Sequence, residues 1–151
     1  MNVLFLCTGN SCRSQMAEGW ARHLGIAGIG PYSAGIVAKG LDPRAVAVMA
    51  EAGVDIAHQR SKTLDDLSGI VFDHVITLCG HARETCPAFP GARRVIHRGF
   101  DDPPALAGNA ASGEEALHHY RRVRDEIGAF IRELPKRLEG TMRPPAARTT
   151  E

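Results

Sequence analysis

The chain has 151 residues, enough for one domain with its own apolar core and too many to need a disulfide-stapled scaffold. Eighteen Lys and Arg against 17 Asp and Glu give a formal charge of +1, so no global field draws it to nucleic acid or to an anionic membrane. An apolar fraction of 44% with 23% charged residues excludes disorder as the dominant state, and no apolar run approaches the ~18 residues of a membrane span.

Val3, Leu4, Phe5 and Leu6 form a β-favouring apolar run that ends at Cys7, Thr8 and Gly9, as a buried strand entering a loop does. Without a basic flank this run is not expected to be a secretory leader. Met16, Trp20, His23 and Leu24 then recur at helical spacing from about Ser14, and Gly25 is placed to close that helix. Residues 31–34 read as a second strand. Asp42 as N-cap and Pro43 at the first helical position open a second helix that runs to Gly53. Ser61 or Thr63 caps a short turn through Leu64 and Leu67. Residues 74–78 are a β-branched strand that runs straight into Cys79, and residues 94–97 read as a fourth strand. Ser112 with Glu115 opens a long amphipathic helix through Leu117, Tyr120, Val123, Ile127, Phe130, Ile131, Leu134 and Leu138, which Pro135 is expected to bend or end. Residues 139–151 read as a disordered tail, leaving one domain over residues 1–138.

Strands alternating with helices predict a three-layer α/β/α fold around a four-stranded parallel sheet with right-handed crossovers. Function in such sheets gathers at the carboxyl ends of the strands, where Cys7 and Cys79 both stand. The expected compartment is the cytoplasm, which keeps thiols reduced, so Cys7, Cys12, Cys79 and Cys86 point to chemistry or metal before structural bridges. Seven histidines show no metal-ligand spacing, and no metal site is expected.

Cys7-Thr8-Gly9-Asn10-Ser11-Cys12-Arg13-Ser14 has the form C-x5-R-S between a strand and a helix. A loop wrapping into a helix start turns successive backbone N–H groups inward and makes a cradle for a tetrahedral oxyanion, which the helix dipole reinforces. Arg13 adds a bidentate cationic clamp, and Gly9 and Asn10 tolerate left-handed backbone. In that potential Cys7 is expected to be a thiolate nucleophile, with Ser14 donating to it. Cys12 is a backup thiol or, the better reading, a small packing residue.

These residues, continued by Gln15-Met16-Ala17-Glu18-Gly19-Trp20, resemble the phosphate-binding loop and first helix of the low-molecular-weight protein tyrosine phosphatase superfamily, in the wording of its thioredoxin-coupled arsenate reductases. Tyr32-Ser33-Ala34-Gly35, Val75-Ile76-Thr77-Leu78-Cys79, Gly99-Phe100-Asp101-Asp102-Pro103 and Arg122-Val123-Arg124-Asp125-Glu126-Ile127 are similar as well. The resemblance implies reduction of arsenate to arsenite by a relay. Cys7 attacks arsenate, Cys79 attacks Cys7 as arsenite leaves, and Cys86 attacks Cys79. It further implies thioredoxin as the external electron donor with no bound cofactor, and phosphate or sulfate as competing oxyanions. Asp102 matches the loop aspartate that protonates the leaving oxygen, the alternative being that Asp101 and Asp102 merely cap a turn. Asn10, Glu18 and Ser33 match positions that help bind potassium in some relatives. Lys62 stands where a further carboxylate would, so an ammonium is expected in the cation's place.

Cys79 and Cys86 form C-x6-C, which is neither a zinc knuckle nor a C-x2-C redox site. If the intervening residues are helical, the two lie roughly 10 Å apart along the axis. A disulfide needs Cα atoms within about 7 Å, so pairing them demands local unwinding, for which Gly80 and Pro87 are suited. Two other functions compete: a low-molecular-weight tyrosine phosphatase, which leaves C-x6-C without a role and meets Pro104 where an aromatic is usual, and a non-catalytic thiol switch or metalloid-binding module. His118, His119, Arg121, Arg122 and Arg124 read as a solvated helix face, eight aromatic residues leave no stacking platform for nucleic acid, and a monomer is expected.

Overall fold

The structure, a computed structural model, describes residues 1–139. Strand β1 (Asn2–Cys7) leads through a loop to helix α1 (Arg13–Leu24), and β2 (Gly30–Gly35) is followed by α2 (Pro43–Glu51) and a 3₁₀ turn (Leu64–Leu67). Then come β3 (His74–Thr77), α3 (Gly80–Thr85), β4 (Arg94–His97), α4 (Pro103–Ala107) and α5 (Gly113–Glu139). The four strands pair in parallel in the order β2-β1-β3-β4.

The alternation of β1 sorts its side chains to two cores. Val3 and Phe5 join Ile76 and Leu78 under α1, α2 and α5, while Leu4 and Leu6 join Val75, Ala34, Leu67 and Ala82 on the other face. Both faces are covered, which gives the expected three layers. Because β1 is flanked by β2 and β3, the chain's winding direction reverses beside it, and the crevice at that switch point opens beyond the carboxyl ends of β1 and β3.

Local signals in the sequence act where they stand. Gly25 closes α1 in the left-handed region at φ 56°. Asp42 caps α2 by accepting from the Arg44 backbone N–H at 2.9 Å, with Pro43 at the first position. Thr63 rather than Ser61 caps the 3₁₀ turn, and the Asp66 carboxylate returns to the Thr63 N–H at 3.0 Å. Ser112 Oγ accepts from Glu115 N–H at 3.1 Å.

Three expectations change. Pro135 neither ends nor breaks α5, which continues to Glu139 because Ile131, Leu134 and Leu138 are fully buried and their packing outweighs the lost backbone bond. The helix therefore includes residue 139, and the expected tail from 140 to 151 lies outside the described residues. Arg124 is no solvated residue. Its Nη1 donates to the Val48 carbonyl at 2.9 Å and reaches Glu51 at 3.2 Å, tying α5 to α2. His23 is exposed and meets the Trp20 ring edge-on, 6.1 Å between centroids.

Candidate active site

The loop from Cys7 to Arg13 is shaped by what binds its outer side. The segment after β2 lies along it: Ile36 N–H donates to Cys7 O at 3.2 Å, Val37 N–H to Thr8 O at 3.0 Å and Lys39 N–H to Gly9 O at 2.9 Å. In a peptide plane the carbonyl and the following N–H point in opposite directions, so carbonyls held outward leave the N–H groups of Thr8, Gly9 and Asn10 facing away from residues 36–39. The Thr8 N–H meets the Cys7 sulfur. Asn10 adopts φ 48°, the left-handed conformation expected of it, whereas Gly9 does not. The stem of Lys39 lies against Gly9, since a Cβ there would sit 2.9 Å from its Cδ.

The loop closes a pocket of about 240 Å³ lined by Cys7, Thr8, Gly9, Ser11, Cys12, Arg13, Lys39, Asp102 and Pro104. Asn10 and Ser14, expected to bind the oxyanion, do not line it. Both are fully buried behind it, and Asn10 Nδ2 donates to Ser14 Oγ at 2.8 Å and to Ser33 Oγ at 3.0 Å. The Ser14 hydroxyl thus meets Asn10 and not Cys7. Cys12 lines the pocket but packs into the core, and burial pushes its thiol up.

Arg13 is 8% exposed. Its Nη1 donates to the Phe100 carbonyl at 3.0 Å and its Nη2 lies 3.4 Å from Asp102 Oδ1. Among the described residues its buried Nε has no hydrogen-bond partner. An unmet buried N–H costs about 1–3 kcal/mol. Asp102 stands at the N-cap position of α4, but its carboxylate makes no cap hydrogen bond and turns to Arg13 instead. Asp101 points elsewhere, to Arg122 at 3.0 Å.

Cys79, at the end of β3, meets Cys7. Its sulfur accepts from the Ala82 N–H at 3.4 Å, at the start of α3, and shares hydrogen bonds with Thr8 Oγ1 at 3.2 Å and with the Cys7 thiol. The two sulfurs are shifted in opposite directions. Donation to Cys79 and burial raise Cys7, outweighing Arg13 and the Thr8 N–H. Hydrogen bonding from Cys7, Thr8 and Ala82 lowers Cys79 and outweighs its own burial. Cys86 is the C-cap of α3, half-buried, and burial raises it too. All four cysteines are free thiols, and α3 is helical between Cys79 and Cys86 as expected, so pairing them requires unwinding it.

Behind the loop, Lys62 Nζ lies 3.5 Å from Glu18 Oε1, 3.5 Å from Ser33 Oγ and 3.0 Å from the Arg60 carbonyl. The structure thus brings Asn10, Glu18, Ser33 and Lys62 together. Sequence reasoning missed Gln15 and Gln59. Gln15 Nε2 donates to Asn10 O at 3.1 Å and to Asn10 Oδ1 at 2.8 Å, and Gln59 Nε2 holds Gln15 Oε1 at 2.7 Å. Among the described residues no group of three or more His, Cys, Asp or Glu could hold a metal ion, and no helix is long and apolar enough to cross a membrane.

The profile of the low molecular weight phosphotyrosine protein phosphatase family matches residues 2–143. An arsenate reductase of Halalkalibacterium halodurans is 50% identical over 130 residues, covering 86% of this chain and 91% of the relative. A solved arsenate reductase in its phosphate-binding state superposes with a TM-score of 0.75 at 32% identity, over 90% of this chain and 97% of the other. A thioredoxin-dependent arsenate reductase of Corynebacterium glutamicum does so with a TM-score of 0.68 at 27% identity, over 93% of this chain and 63% of the other. With its loop, its sheet order and nearly all of its described length matched in this way, the chain belongs to the low molecular weight phosphotyrosine protein phosphatase family, among its arsenate reductases.

Proposed function

We propose that the chain reduces arsenate to arsenite through Cys7, Cys79 and Cys86, with thioredoxin as electron donor. The observation that carries this reading is the contact of the Cys7 thiol with the Cys79 sulfur, with Cys86 one short helix away. A phosphatase needs Cys7, Arg13 and an acid, and water completes its turnover. It has no use for two further thiols, and the pocket lining contains Pro104 and no aromatic ring to hold an aryl ester.

The bound dianion takes up the Cys7 proton, and the Cys7 sulfur attacks arsenic. An S–As bond forms, and the proton taken from Cys7 passes through Asp102 to the departing hydroxyl, which leaves as water. The Cys79 thiolate then attacks the Cys7 sulfur. The S–As bond breaks with its electron pair passing to arsenic, which falls from As(V) to As(III), and a Cys7–Cys79 disulfide remains. Cys86, as a thiolate, attacks Cys79, releases Cys7 and leaves a Cys79–Cys86 disulfide, which the two thiols of thioredoxin reduce by exchange. Unwinding α3 supplies the reach for this step and exposes its product. Thr8, Gly9, Ser11 and Arg13 bind the oxyanion, and phosphate and sulfate compete for the same cradle. Asn10, Ser14, Glu18, Ser33 and Lys62 hold the loop from behind. The reading places the chain as a monomer in the reducing cytoplasm, as one domain over residues 1–138.

Arsenate-dependent NADPH consumption with thioredoxin and thioredoxin reductase tests this. The wild type is expected to turn over, Cys7→Ser and Cys79→Ser to release no arsenite, and Cys86→Ser to release at most one arsenite per chain before stopping. Absent wild-type turnover, or a Cys86→Ser variant that cycles at the wild-type rate, overturns the reading.

A further inference from the structure

We infer that Lys39 is a second cation of the oxyanion site, which captures the dianion at the mouth of the pocket before Arg13 clamps it. The inference rests on the function proposed above and adds a binding residue to it.

Lys39 is held in place by its backbone and stem, not by its charge. Its N–H donates to Gly9 O at 2.9 Å, and the following residue, Gly40, turns at φ 91° and donates to Ser61 Oγ at 3.1 Å. Ser61 Oγ in turn donates to Gly9 O at 3.2 Å. The stem crosses the face of Gly9 where a Cβ would stand, which brings the side chain into the pocket lining beside Cys7, Arg13 and Asp102. The ammonium has no hydrogen bond and no ion pair among the described residues, unlike Lys62, which is paired with Glu18.

Charge counting shows what this does. Arg13 and Asp102 sit 3.4 Å apart and cancel at long range. Without Lys39 the mouth presents no net attraction to a dianion, and the chain's total charge of +1 supplies none from elsewhere. With Lys39 the mouth is cationic. The ammonium contributes to capture and leaves sulfur chemistry to the cysteines.

The test uses inorganic phosphate as an inert dianion, its binding followed by calorimetry, and arsenate KM measured alongside. Lys39→Met keeps the stem on Gly9 and removes only the charge. It is expected to weaken phosphate binding and raise arsenate KM by about tenfold at low ionic strength, with kcat changed much less. Lys39→Arg is expected to stay within about twofold of the wild type, and the Lys39→Met deficit to shrink as salt rises toward ~0.5 M. Phosphate affinity of Lys39→Met within twofold of the wild type at low salt overturns the inference, as does a deficit that salt leaves unchanged. Phosphate binding needs no turnover. A wild type that binds phosphate through Lys39 yet reduces no arsenate defeats the proposed function alone, and active enzyme with an unaffected Lys39→Met variant defeats this inference alone.

Discussion

Thr8 Oγ1 lies 3.2 Å from Cys79 Sγ, so the residue that follows Cys7 in the loop holds the sulfur that ends a different strand. Together with the Ala82 N–H and the Cys7 thiol it pulls the Cys79 pKa down. The lowered thiol is the one that attacks second in the proposed relay. Cys7 can be ionised when substrate arrives, whereas Cys79 must stay a nucleophile beside a freshly formed adduct.

Thr8→Val removes one of those donors while keeping the shape. The Cys79 pKa is expected to rise by roughly one unit, since a hydrogen bond to a charged group contributes about 1.5 kcal/mol and a unit corresponds to about 1.4. Alkylation of Cys79, followed by peptide mass spectrometry from pH 4 to 9, reads this directly. An unshifted profile would show that Thr8 does not hold the thiolate.

His74 is fully buried on β3, and its imidazole is held below its ordinary value by burial, with Arg93 and Arg94 adding and Asp73 opposing. The unfolded chain binds a proton near pH ~6.5, and the folded chain does so only lower. Between those values unfolding takes up a proton, so this contribution to stability is complete above ~6.5 and is lost as pH falls toward the folded value. Thermal melts at pH 7.5, 6.5 and 5.5 are expected to show a steeper loss for the wild type than for His74→Gln. Equal slopes would remove His74 as the cause.

How much of this was legible follows from the distance over which each signal acts. Cys7 and Arg13 share one loop, and Asp42 with Pro43 and Gly25 act on their own helices, so residue type and spacing sufficed. Lys39, Gln15 and Gln59 matter only because β2, α1 and the segment before Lys62 converge on the back and rim of the loop, and no local pattern marks them. The hold on Cys79 has the same origin, since its sulfur is met by Thr8 and by the start of a helix more than seventy residues later in the chain. Pro135 is the converse case, a strong local signal overridden by three buried side chains.

Gly35 illustrates a constraint of the same tertiary kind. A Cβ there would sit 2.3 Å from the Val37 carbonyl and 2.6 Å from the Asn10 nitrogen, both backbone atoms that cannot rotate aside. Gly35→Ala must push the loop away from the segment that orients its N–H groups. Stability is expected to fall by about 1–3 kcal/mol in chemical denaturation, and phosphate affinity to fall with it. Gly80→Ala, where a Cβ meets nothing within 4 Å, is the control and is expected to leave phosphate affinity unchanged.

Lys62 is the last case, because its ammonium meets a buried carboxylate. Its ammonium sits 3.5 Å from both Glu18 Oε1 and Ser33 Oγ, its N–H donates to Asn10 Oδ1 at 2.7 Å, and its carbonyl accepts from Gly35 N–H at 2.8 Å. The backbone thus braces the loop whatever the side chain, while the ammonium neutralises a carboxylate that is only 5% exposed. Activity is therefore expected to agree within about twofold between sodium and potassium buffers of equal ionic strength. Lys62→Met leaves Glu18 with Arg22 at 2.7 Å as its remaining cation and should cost about 1–3 kcal/mol of stability. If the ammonium fills a cation's place, potassium should recover part of that loss in Lys62→Met and none in the wild type. Strong potassium stimulation of the wild-type protein would show that Lys62 does not fill that place.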